Sequence, residues 1–97
     1  LADGVELIWL PGHTPGLMGL VVRTENSGTL IFPQDALYTR RNYGPPARVS
    51  GIIYDSLSFY QSVEKIRLLA KQRKAQVMFS HDLDFFRTMK RAPQCYD

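Results

Sequence analysis

At 97 residues, 44% apolar and 22% charged, the chain suits one small globular domain with a modest core and is too apolar for a disordered segment. No apolar run approaches the ~20 residues that cross a bilayer and no signal peptide is recognised, so no membrane partner is expected. The net charge of +3 is too diffuse to call for nucleic acid, and Cys95, the only cysteine, leaves no internal disulfide, so a reducing cytoplasm is the expected setting.

The chain starts without a methionine and runs almost at once into "VELIWL" (residues 5–10), so we expect a piece of a longer protein. That stretch reads as a buried strand. It is followed by "PGHTPG", where Pro11 and Pro15 lock φ and Gly12 and Gly16 supply unusual backbone shapes around His13. Residues 18–24 ("MGLVVRT") and 29–32 ("TLIF") read as a hairpin about the turn "ENSG". The second strand stops at Pro33, and Asp35 comes directly after it. Residues 40–54 have loop composition. Asp55 or Ser56 can cap a helix to about Lys74, with Phe59, Val63, Ile66 and Ala70 on its buried face. Its basic residues gather toward the C-terminal half, where the helix dipole favours them. "QVMFS" (residues 76–80) is a further buried strand that delivers His81 and Asp82, and residues 83–90 form a short helix or an irregular tail. The order is that of a mixed α/β chain, with layered α and β elements.

His13, Asp35 and His81 thus share one address: each follows a strand. If those strands run the same way in one sheet, the three side chains emerge at one edge. Imidazole nitrogens and a carboxylate suit zinc, iron or manganese. Each residue also has a plainer use. His13 can bond within its own turn, Asp35 can cap a turn before Ala36, and His81 can cap the next helix. Asp82 reads as a helix cap or a support for a neighbouring ligand rather than a ligand. Tyr43, Tyr54, Phe59 and Tyr60 read as packing residues, Arg40 and Arg41 as solvated loop charges, and Cys95 has no assigned role.

Taken together, "LPGHTPG", an apolar hairpin, "FPQDALY", a helix and "VMFSHD" resemble the second half of the metallo-β-lactamase superfamily, most of all its quorum-quenching N-acyl homoserine lactonases. The resemblance implies that residues 1–97 are the C-terminal half of a four-layer αββα sandwich. It also implies two divalent ions in the complete domain, zinc first, with iron, manganese or cobalt as alternatives. In that frame His13 completes the ligands of one ion, His81 serves the other and Asp35 bridges both. Tyr38 points at the substrate carbonyl. Water activated by the ions would open a lactone or similar ester.

The sequence departs from the family in three places. Leu17 stands where a second histidine is common, and Gln34 where a glycine often precedes the bridging carboxylate. The HxHxDH motif of the N-terminal half is absent, so the isolated chain is expected to be inactive and to expose an apolar face. The missing half is its implied partner, beside a small lactone or ester substrate, and a homodimer stays open. A thioester hydrolase of the glyoxalase II kind, a non-catalytic truncated domain, and a basic module using "TRRNYG" and "KQRK" on RNA are the alternatives. A β-lactamase is disfavoured because Asp35 replaces the usual zinc-binding cysteine.

Overall fold

The computed structural model describes residues 2–97. Four strands form one sheet in the order β1 (Val5–Trp9), β2 (Met18–Arg23), β3 (Thr29–Phe32), β4 (Gln76–Val77). The first three pair antiparallel through short connections, whereas β3 and β4 pair parallel. A parallel pair needs a long crossover, and α2 (Ser56–Arg73) supplies it. One consequence governs the site. Strands β1, β3 and β4 run in the same direction, so their C-terminal ends lie along one edge.

Register decides which face of the sheet is buried. Val21, Ile31 and Val77 lie side by side across β2, β3 and β4 and join the core formed by Phe59, Val63 and Ile66 of α2. The opposite face pairs Leu7 with Leu20 and Trp9 with Met18. There Leu7, Trp9 and Met18 keep 49%, 55% and 39% of their surface exposed. Each would gain roughly 1–1.5 kcal/mol on burial of what is still exposed, so this face carries the exposed apolar surface that was expected of it. It also corrects the reading of "VELIWL". That stretch is an edge strand, half-covered at best until Leu10, because α2 packs on one face only.

Helix α2 begins where the aspartate says it should. The Asp55 side chain accepts from Leu57 N at 3.0 Å and from Ser58 Oγ at 2.5 Å, closing the exposed end of the helix. The helix ends at Lys74, left-handed at φ 50°, whose N–H reaches the Ala70 and Lys71 carbonyls. Phe59, Val63 and Ile66 are buried as expected, and Ala70 is half-buried. Its basic residues are partly committed: Arg73 binds both Glu6 oxygens at 2.8 and 3.0 Å, and Lys65 donates to the Trp9 carbonyl.

The stiff turn around His13 is bolted to this helix. Gly12 O accepts from Tyr54 N and Asp55 N at 2.9 and 3.0 Å, and Ser62 Oγ donates to Pro11 O at 2.6 Å. Gly12 sits at φ 143°, and a Cβ there would meet Phe59 Cα at 2.7 Å. Only glycine fits. Gly16, by contrast, has open space around it and an unremarkable φ.

Three further expectations change. Residues 40–54 are not wholly irregular, because Thr39 and Asn42 cap a single turn, α1 (Arg40–Tyr43). The last strand is shorter than residues 76–80. Met78 N still bonds Ile31 O at 2.8 Å, but the chain then turns away to deliver His81. Tyr54, expected to pack, is 74% exposed, whereas Tyr60, 45% exposed, does set its ring edge-on against Phe59 at 5.3 Å between centroids. Phe59 is core, and Tyr43 packs on it from the rim. The tail resolves into a short helix, α3 (Leu83–Thr88). Among the described residues, no helix is long and apolar enough to cross a membrane.

Candidate metal centre

The shared edge brings all four singled-out side chains together. His13 sits in the turn after β1, Asp35 on the 3-10 turn (Gln34–Ala36) after β3, and His81 after β4. Burial of Pro33, Ala36 and Leu37 on either side clamps Asp35 in place while leaving its carboxylate 44% exposed. His13 Nε2 lies 3.7 Å from Asp35 Oδ2, and His81 Nε2 lies 3.1 Å from Asp35 Oδ1. Two imidazoles therefore face two different oxygens of one carboxylate.

Tyr38 stands between them. Its ring meets His81 edge-on at 4.7 Å and His13 at 5.7 Å between centroids. Its carbonyl accepts from His81 N at 3.0 Å, which ties the end of β4 to the segment after β3. Burial, and then the nearby Asp35 charge, push the phenol above its ordinary pKa. At neutral pH it is therefore a hydroxyl donor.

The donor set suits a metal pair. A tetrahedral ion with bonds of about 2.0 Å separates its ligand atoms by roughly 3.3 Å, and the two Nε2–Oδ distances of 3.7 and 3.1 Å bracket that value. Each half is incomplete, however. Among the described residues, no group of three or more His, Cys, Asp or Glu is arranged to hold an ion alone. An ion held here would need further ligands.

No family model matches the chain. It is 40% identical over 90 residues to the N-acyl homoserine lactonase AiiB of Agrobacterium fabrum, a match covering 92% of this chain and 33% of that protein. Its fold superposes with TM-score 0.87 and 29% identity on an N-acyl homoserine lactone hydrolase solved with the product N-hexanoyl-L-homoserine at its catalytic metal centre, covering 97% of this chain and 37% of the other. The chain is a homologue of the N-acyl homoserine lactonases. Its sheet and helices are part of their metallo-β-lactamase fold. AidC, a dizinc quorum-quenching lactonase, shares the fold at TM-score 0.69 and 21% identity, over 86% of this chain and 28% of that one. The chain spans about a third of the length of the curated relatives it matches.

Against this lactonase fold, two features stand out. Gln34 holds φ 54°, a left-handed backbone that costs a non-glycine residue roughly 1–2 kcal/mol. Gln34 thus places strain directly before Asp35. Leu17, the other departure, is half-buried against the core, and its carbonyl accepts from Leu10 N at 2.9 Å.

Arg40 does more than sequence reasoning assigned it. It is solvent-exposed, as expected of a loop charge, yet it also places its N, Nε and Nη2 on the Asp82 carboxylate at 3.0, 3.1 and 3.4 Å. Asp82 also caps α3 through Phe85 N at 2.9 Å, as its position suggested. This latch joins the residue after His81 to the segment carrying Tyr38. Nothing local in the sequence signals it, since the partners lie far apart in the chain. Arg41 is exposed, as expected of a loop charge.

The Arg40 side-chain bond, followed by the backbone N–H donors, pulls the Asp82 pKa down to about 2. The Asp55 carboxyl is likewise lowered, first by Ser58. Both charges favour the folded state above the ordinary carboxylate pKa, and that contribution disappears as pH falls toward 2. We expect urea stability to drop between about pH 4 and pH 2, with Asp82 accounting for about 1–2 kcal/mol once exposure of Arg40 is allowed for. Asp82→Asn should flatten part of that acid limb. An unchanged limb in the variant would show that the latch contributes nothing to stability.

Proposed function

We propose that this chain supplies part of the metal centre of an enzyme that hydrolyses N-acyl homoserine lactones. One observation carries the reading: the Asp35 carboxylate offers a separate oxygen to each of two imidazoles at the ends of three strands running the same way. His13 and His81 would each hold one divalent ion, with Asp35 shared between them. Bound there, the ions would supply Lewis-acid polarisation of the lactone carbonyl and acidification of water.

The chain's own residues set up the rest. Asp35, on a side chain clamped by buried neighbours, would offset the positive charge of bound ions. The Tyr38 hydroxyl, protonated at neutral pH, donates to the carbonyl oxygen as negative charge builds on it. Its position between the two imidazoles supports that role, since the donor would stand beside ions held by them.

Paired metal analysis and kinetics on the complete protein test this. His13→Ala and His81→Ala should each lower the metal content and abolish most turnover. Tyr38→Phe should keep both ions while turnover of an acyl homoserine lactone falls about 10- to 100-fold. Histidine variants with full metal and full rate would overturn the assignment.

A further inference from the structure

His13 Nδ1 has two neighbours that make opposite demands on it. The Ile52 carbonyl oxygen lies 3.2 Å away and the Tyr38 hydroxyl 3.3 Å away. A carbonyl oxygen only accepts, so the Ile52 contact is attractive only when Nδ1 carries the hydrogen. Neutral imidazole then has a bare Nε2, the atom that faces Asp35 at 3.7 Å. In the other tautomer the Nδ1 lone pair opposes the Ile52 carbonyl, the Tyr38 hydroxyl spends its hydrogen on Nδ1, and Nε2–H blocks a metal.

What holds the Ile52 carbonyl in place therefore decides the state of His13. Packing does not, because the Ile52 side chain is 68% exposed. Polar contacts do. Ser50 Oγ donates to the same Ile52 oxygen at 3.0 Å, and two residues later Tyr54 N is tied to Gly12 O, adjacent to His13.

We propose that Ser50 is a positioning residue: by holding the Ile52 carbonyl it fixes His13 as the Nδ1–H tautomer, keeping Nε2 bare for a metal ion and the Tyr38 hydroxyl hydrogen free for substrate. The proposal rests on the reading of His13 as a ligand, and its test separates the two. Histidine 15N NMR on the metal-free complete protein reports the tautomer, with His13 assigned by the signal lost in His13→Gln. Zinc titration of the same samples reports affinity.

The wild type should show Nδ1–H. Ser50→Ala should shift His13 toward Nε2–H and weaken zinc binding about 10-fold, while Ser50→Thr, which keeps the hydroxyl, restores both. An unchanged His13 tautomer in Ser50→Ala overturns the proposal. A shifted tautomer, together with a His13→Gln protein that binds zinc as tightly as wild type, supports the Ser50 control and overturns the ligand reading alone.

Discussion

Asp35→Asn in the complete protein is expected to lose metal from about two ions toward one or none, and its lactone turnover should fall by orders of magnitude. The substitution keeps size and shape. It replaces one charged oxygen with an amide NH2, which donates and cannot ligate, so of the two Nε2–oxygen pairs at 3.7 and 3.1 Å only one keeps its carboxyl-type donor. The loss of negative charge between two cations adds to the effect. Elemental analysis alongside kinetics separates the outcomes. A variant with full metal and full rate would mean that Asp35 is only a turn residue and that the convergence of the two histidines on it has no catalytic use.

A second large effect is expected at Gly12, and there the readout is stability. An alanine Cβ would stand 2.7 Å from Phe59 Cα and 2.8 Å from Phe59 N. These are backbone atoms of α2, so no side-chain rotation relieves the clash. The φ of 143° adds strain for any residue with a Cβ. Overpacking and backbone strain together put the cost of Gly12→Ala at about 2–6 kcal/mol. In urea, the midpoint should fall while the slope stays the same. Gly16→Ala, with nothing within 4 Å, should change stability by less than about 0.5 kcal/mol. Equal stability of the two variants would show that the turn is not seated against α2 as described.

The same pair of glycines shows where sequence reading ended. Proline and glycine in "PGHTPG" announced a stiff turn, because both residues act on φ locally. Which glycine was indispensable depended on a helix that begins more than 40 residues later and lands on Gly12. Similarly, Asp55 announced the start of α2, and its apolar spacing announced the buried face, because capping and helical periodicity are short-range effects. The exposed half of β1 was not legible, since "VELIWL" is equally apolar whether one face is covered or two.

For the site, the residue types and their place after strands are legible in the sequence. The sequence by itself determined the candidate donors: His13, Asp35 and His81, each delivered by a strand end, with Tyr38 close behind. Strand direction was decided only by tertiary structure. The hairpin and the α2 crossover make β1, β3 and β4 run the same way, and only then do the donors meet at one edge. The contacts that support them were likewise set by tertiary structure. Arg40 on Asp82 and the Ile52 carbonyl on His13 join residues 42 and 39 apart in the chain. Hydrogen bonds over such separations follow no local periodicity or propensity, and they exist only because the fold closes the distance.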